Sequence, residues 1–164
     1  MESAAKRVAQ YGLFLALALA AAYLENLLPL SFTVPGVKLG LANAIVMVIL
    51  YKKGLKSAII VSFARIILAS ALFSGMFTMI YSIAGAFLSI SVMAVLNKTG
   101  RFGVVGVSTA GGICHNIGQL IVASIVVENH AMFYYFPVLC VSGVICGTII
   151  GMLTGMLIER LKFC

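Results

Sequence analysis

An arginine and a group of polar side chains interrupt runs of sequence that are otherwise apolar. Arg65 lies about ten residues into one run. His115, Asn116 and Gln119 fall within five residues of another. A charge near the centre of a bilayer costs at least ~2.5–3.5 kcal/mol, so such residues face protein, water or a ligand. On a helix, His115 and Gln119 share one face, and Asn116 lies at its edge. Together these side chains predict a cavity that binds a polar or anionic ligand.

Three further residues are candidates for the same site. Glu25 is the only acidic residue that lies in an apolar run away from a chain end. Lys38 and Asn43 lie in the segment Val34–Asn43, which begins with a Pro-Gly turn signal. Other interpretations stay open: Arg65 can pair with Glu25, Lys38 can be an interfacial lysine, and the polar side chains can join helices.

Several kinds of chemistry lack their residues. The chain has no Asp, and its four acidic residues are all Glu. The patterns GxxxxGK[ST], HExxH and GxSxG are absent, which argues against an ATPase, a zincin or a serine hydrolase. The four cysteines form no CxxC pair, and a haem ligated by His115 would lack a clear second ligand. We therefore expect no metal and no cofactor, and a binding subunit rather than an enzyme.

The composition places these residues in a membrane protein. Of 164 residues, 63% are hydrophobic and 9% are charged, whereas soluble domains are ~45–50% apolar and ~25% charged. So small a domain could not bury that much apolar surface. The runs lack the alternation of a membrane barrel. The sequence therefore predicts an all-α, polytopic membrane protein with one integral membrane domain, residues 1–164.

Six apolar runs are predicted to be transmembrane helices, since about 20 residues cross a bilayer. A secretory signal is the alternative for the first run, because Lys6 and Arg7 precede it and small residues end it. The second run is short. The six are Val8–Leu30, Val37–Tyr51, Leu55–Phe73, Phe77–Leu96, Val104–Val127 and Phe136–Leu161.

Basic residues predict the orientation in the cell membrane. Nine of the eleven Lys and Arg residues fall on one side if all six runs cross and the N-terminus is cytoplasmic; only Lys38 and Arg65 do not. Because cytoplasmic loops carry an excess of basic residues, both termini are predicted to be cytoplasmic. The net charge of +7 is then explained without nucleic acid. The polar candidates lie in the middle or outer part of the membrane, where Lys38, Arg65 and His115 would give an outward-facing pocket a positive potential.

Small residues recur at a spacing of four in two runs. Such a spacing forms a smooth face on a helix, along which another helix approaches closely. Packing within the chain and docking of a partner subunit are both open for each face. The residues are Gly143, Gly147, Gly151 and Gly155 in the last run, and Ala16, Ala18, Ala20 and Ala22 in the first.

Two segments resemble the signature blocks of a known family. Val34–Asn43 (VPGVKLGLAN) and Gly111–Gln119 (GGICHNIGQ) are similar to those of the Gx transporter family, which is labelled heptaprenyl diphosphate synthase component I. The resemblance covers nearly the whole chain. That family is grouped with the six-helix S components of energy-coupling-factor transporters.

The resemblance implies a function for the predicted pocket. An S component captures a small molecule from outside, and a transmembrane coupling subunit with two cytoplasmic ATPases drives its release inward. The alanine face of the first run is similar in type and place to the face that docks the coupling subunit. The synthase label conflicts with the lack of aspartate-rich motifs. The alternative is a non-catalytic membrane subunit of isoprenoid or quinone metabolism, or of a quinone- or flavin-linked electron-transfer assembly.

Overall fold

The structure is a computed structural model that describes residues 4–27 and 40–161. Within these ranges it is all-helical and contains no strand. The predicted all-α class is therefore confirmed. The α-helices are α1 (Ala4–Leu27), α2 (Leu41–Lys53), α3 (Leu55–Ala69), α4 (Gly75–Thr99), α5 (Val104–Val126) and α6 (Phe136–Arg160).

Four helical segments in the described part of the chain are long and apolar enough to cross a membrane. They are Ala4–Leu27, Leu55–Thr99, Val104–Val126 and Ala131–Arg160. The predicted second run is not among them, because α2 has only 13 residues and is about 20 Å long. The predicted third and fourth runs lie in one helical segment of 45 residues. The number of crossings thus stays a prediction, whereas the membrane class has direct support.

The 45-residue segment contains a reversal. A π-helical turn, Ser70–Ser74, follows α3, and Gly75 follows it with φ +79°, a backbone conformation that glycine tolerates best. Leu55 at the start of α3 and Lys98 at the end of α4 border the same cleft. The two helices are therefore antiparallel, and the π-helical turn lies at the end where they are joined.

The short helix α2 lies in the centre of the molecule. Five consecutive residues, Val46–Leu50, are all buried, so the helix is covered on every side. It contacts α1, α3 and α6. A helix that is apolar all round is stable only when it is enclosed in this way. Gly54, with φ +89°, ends α2 and allows α3 to begin at once.

Glycines let α5 pack tightly between α4 and α6. A Cβ atom at Gly147 of α6 would lie 2.7 Å from Thr109 Cα, and one at Gly118 of α5 would lie 2.8 Å from the Ala84 carbonyl oxygen of α4. Both distances are too short for a side chain, so the backbones are in direct contact. This close packing holds α5, and the polar residues on it, against both neighbours.

Three of the four glycines predicted to form a ridge on α6 lie against α5. Gly143, Gly147 and Gly151 each face α5 backbone atoms at a separation that excludes a Cβ, whereas a Cβ added at Gly155 would have no atom of another element within 4 Å. The reason is the length of α5. Gly151 lies opposite Val105, and α5 begins at Val104, so one turn later no helix remains for Gly155 to contact.

The four alanines of α1 divide between two faces. Ala18 is completely buried, and Ala22 lines an internal cavity. Ala16 and Ala20 are exposed, beside the exposed Leu17. Only Ala16 and Ala20 are therefore placed where a partner helix could reach them, and their docking role stays a prediction.

Candidate functional site

The polar side chains from the apolar runs meet in one cavity. Its volume is about 70 Å³. It lies at the end of the helices opposite to the basic residues of the helix termini, and α1 to α5 all contribute to it. Six of the seven predicted binding residues line it: Glu25, Asn43, Arg65, His115, Asn116 and Gln119. The seventh, Lys38, lies outside the described residues.

Arg65 is the cation of this cavity in the described part of the chain. It lies ten residues after the start of α3, about 15 Å along the helix. Its Nη2 donates a hydrogen bond to Asn43 Oδ1 over 3.2 Å. Its Nε is buried and has no hydrogen-bond partner among the described residues. Because a buried N–H without a partner costs ~1–3 kcal/mol, the Nε of Arg65 is a polar group that the described chain leaves unsatisfied.

Glu25 is held on the opposite wall by the start of α2. Its Oε1 accepts a hydrogen bond of 2.6 Å from the backbone N–H of Gly40. Gly40 precedes α2 with φ +80°, and its carbonyl oxygen accepts from the N–H of Asn43 over 2.8 Å. Glu25 thus fixes the turn that presents Asn43 to Arg65. Because Glu25 and Arg65 carry opposite charges, the described lining is formally neutral. The positive potential expected from Lys38, Arg65 and His115 stays a prediction, since Lys38 lies outside the described residues.

His115 and Gln119 are positioned by a glycine of the neighbouring helix. A Cβ atom at Gly85 of α4 would lie 2.9 Å from both His115 Cε1 and Gln119 Cγ. The α4 backbone therefore packs directly against both side chains. The spacing of four placed them on one face of α5, and Gly85 limits the positions that they can take.

Asn116 contributes to the cavity and also joins two helices. Its Nδ2 donates to the Leu139 carbonyl oxygen over 2.8 Å and to Ser142 Oγ over 3.2 Å, both on α6. Its amide protons are therefore committed to helix–helix contact. A recess of about 40 Å³ lies between α2, α5 and α6 and shares four lining residues with the cavity: Gly40, Asn43, His115 and Asn116.

Several lining residues were not singled out from the sequence. Ser74, Thr78 and Ser82 recur at a spacing of four from the π-helical turn into α4. This spacing is visible in the sequence and could have indicated a shared helix face. Single hydroxyls in apolar runs, however, usually donate a hydrogen bond to their own backbone, as Thr78 does to the Ser74 carbonyl oxygen over 2.9 Å. Asn26 donates to Ser74 Oγ over 3.5 Å and joins α1 to this wall.

Cysteine and metal chemistry add nothing to the site. Cys114, Cys140 and Cys146 are free thiols, and Cys164 lies outside the described residues. Across residues 4–27 and 40–161, no three His, Cys, Asp or Glu side chains are grouped to hold a metal ion. What the cavity offers a ligand is hydrogen bonding and one charge of each sign.

The fold and the cavity define a class: an apolar helical protein of the membrane type with a small polar cavity among its helices. The sequence matches the family heptaprenyl diphosphate synthase component I over residues 14–157. The chain belongs to this family, as its two signature-like segments predicted. No curated protein and no solved structure matches the chain.

Proposed function

We propose that the chain is the substrate-binding subunit, similar to an S component, of an energy-coupling-factor-type uptake transporter in the cell membrane. It captures a small polar molecule with an anionic group from the outer side. The observation that carries this proposal is Arg65, a cation that lines the cavity and whose guanidinium has one N–H, at Nε, without a hydrogen-bond partner in the described chain. A carboxylate or phosphate oxygen would satisfy it with a charge-assisted hydrogen bond.

The lining favours a small ligand that carries more than one polar group. Arg65 would bind its anionic group, and Asn43 and Gln119 offer amide groups beside it. Glu25 would favour a second, proton-donating or cationic group on the same ligand. With about 70 Å³, the described cavity suits a small nutrient rather than a large vitamin.

The arrangement of helices supports six membrane segments. Because α3 and α4 are antiparallel, Leu55–Thr99 makes two passes, and α2 enters as a short segment enclosed by the others. Every loop rich in Lys or Arg then lies on the side away from the cavity, which the positive-inside rule makes cytoplasmic. The cavity would therefore open outward.

A partner subunit would be needed to drive release. The sequence has no GxxxxGK[ST] pattern for ATP, so we propose a transmembrane coupling subunit with cytoplasmic ATPases. The exposed Ala16 and Ala20 of α1 offer a flat face for close helix approach.

A second candidate function has one observation in its favour. An apolar cleft of about 420 Å³ lies between α3 and α4, and Lys98 borders it. Phe63 and Phe87 supply aromatic walls. Such a cleft suits an isoprenoid chain with an anionic head, and the family name refers to heptaprenyl diphosphate synthesis. With no Asp for magnesium and diphosphate, the chain would then be a non-catalytic subunit.

Mass spectrometry of small molecules that copurify with the protein distinguishes the two functions. The protein is extracted in mild detergent, washed and denatured, and the released compounds are compared with those from an unrelated membrane protein. We expect a water-soluble compound with an anionic group, at up to one molecule per chain. Specific recovery of only an isoprenoid or a quinone would refute the transport proposal and favour the second function.

A further inference from the structure

A second polar pocket lies at the other end of the molecule from the candidate site. It has a volume of about 150 Å³ and is formed where the N-terminal half of α1 meets the junction between α2 and α3. Its lining residues are Arg7, Gln10, Tyr11, Phe14, Lys53 and Ser57.

Hydrogen bonds between helices hold the walls of this pocket. Lys53 Nζ donates to Gln10 Oε1 over 2.7 Å, which joins the end of α2 to α1. The hydroxyl oxygens of Tyr11 and Ser57 lie 2.7 Å apart and join α1 to α3. Ser57 is buried, so its side chain is fixed in place. Lys53, Tyr11 and Ser57 are therefore held in place, whereas Arg7 is exposed at the edge of the pocket.

The charge of the lining is positive. Arg7 and Lys53 each carry one charge, and no carboxylate lines the pocket within the described ranges. A guanidinium, an ammonium and one proton of the Tyr11–Ser57 hydroxyl pair can be donated to anionic oxygens. Arginine also presents a planar fork that fits two oxygens of one phosphate group.

We propose that this pocket binds a phosphate group. Arg7 and Lys53 would contact its charged oxygens. One hydroxyl of the Tyr11–Ser57 pair would donate to a third oxygen, because the other hydroxyl proton lies in the bond between them. Phe14, which is buried at its base, closes the pocket toward the interior. The phosphate belongs either to the headgroup of an anionic phospholipid or to a soluble phosphate compound. This site is independent of the transport proposal, because it shares no residue with the polar cavity.

Two probes distinguish the sources of the phosphate. Purified protein is reconstituted in nanodiscs of phosphatidylcholine with and without phosphatidylglycerol, and lipid adducts are measured by native mass spectrometry. In a separate arm, the thermal unfolding of protein in detergent is followed with sodium phosphate or sodium chloride at equal ionic strength. Selective retention of phosphatidylglycerol assigns a headgroup site. A rise in melting temperature with phosphate, without lipid selectivity, assigns a soluble ligand.

Charge-removing variants test the pocket itself. Arg7→Gln combined with Lys53→Gln should reduce binding of the effective probe about tenfold or more, since two charged contacts are lost. Lys52→Gln is the matched control, because Lys52 is the adjacent, exposed lysine outside the pocket. Tyr11→Phe removes one hydroxyl and should weaken binding severalfold. It replaces the double variant as the test of the pocket if the double variant does not fold. The proposal is overturned if neither probe acts on the wild-type protein, or if the folded pocket variants match the Lys52→Gln control.

Discussion

Arg65 donates a hydrogen bond of 3.2 Å to Asn43 Oδ1 and thereby links the middle of α3 to the first turn of α2. The amide of Asn43 is a neutral acceptor, so it orients the guanidinium without cancelling its charge. A carboxylate at the same place would cancel it. Small substitutions at Asn43 alter this relationship and so test whether Arg65 binds the proposed ligand.

Replacing Asn43 with Asp should affect the stability of the protein and its binding of an anionic ligand differently. The new carboxylate should pair with Arg65 and hold the melting temperature at or above that of the wild type, since hydrogen bonds to charged groups contribute ~1.5–3 kcal/mol. Retention of an anionic ligand should fall at least about tenfold. Asn43→Ala is the companion variant, and it should lower the melting temperature instead. Normal ligand retention by Asn43→Asp would show that Arg65 is not the anchor of the ligand.

The position of His115 and Gln119 depends on Gly85. Gly85→Ala should push α4 away from α5, because a Cβ would lie 2.8 Å from the His115 carbonyl oxygen. Overpacking of this kind costs ~1–3 kcal/mol. We expect a lower melting temperature and weaker binding in thermal-shift measurements. Gly12→Ala is the control, since no atom lies within 4 Å of its Cβ position. Equal behaviour of the two variants would refute the close α4–α5 contact.

The contact between α5 and α6 can be tested with a matched pair of glycines. Gly147→Leu should destabilise the protein by at least ~1–3 kcal/mol, because even its Cβ would lie 2.7 Å from Thr109 Cα. Gly155→Leu, one ridge position further from the contact, should be tolerated because that position faces open space. Thermal unfolding in detergent measures both. A stable, functional Gly147→Leu variant would contradict the packing described here.

Cysteine labelling tests the predicted orientation of the protein in the membrane. In a background without the four native cysteines, a membrane-impermeant maleimide should label Ala131→Cys in intact cells. It should label Ser3→Cys only after the cells are broken. The physical reason is the distribution of basic residues, nine of which lie at cytoplasmic positions in this topology. Labelling of Ser3→Cys in intact cells would reverse the orientation.

The sequence predicted the all-helical fold and the polar residues of the cavity because a lipid bilayer restricts both the length of apolar segments and the placement of charge. Apolar runs of sufficient length marked α1, α5 and α6, and the cost of a charge in lipid singled out Arg65. The spacing of four correctly grouped His115 with Gln119, since residues at that spacing share a helix face.

Other features depend on contacts that are distant in the sequence. Whether a small residue faces a partner or open space is set by where the neighbouring helix ends, as Gly155 shows. The hydrogen bond from the Gly40 N–H to Glu25 depends on how α1 meets α2. Tertiary packing determines these contacts, and they leave no periodic pattern in the sequence.

The most direct test of the account compares Arg65→Ala and Glu25→Gln for melting temperature and for retention of the copurifying anionic compound. We expect Arg65→Ala to lose the compound at least about tenfold while it keeps most of its stability, and Arg65→Lys to restore little, because an ammonium cannot reproduce the planar fork. Glu25→Gln should differ from Arg65→Ala in melting temperature, because Glu25 accepts a hydrogen bond from the backbone N–H of Gly40. If instead both variants melt early and their folded fraction still retains the compound, Arg65 and Glu25 form a structural pair, and the proposed binding site is wrong.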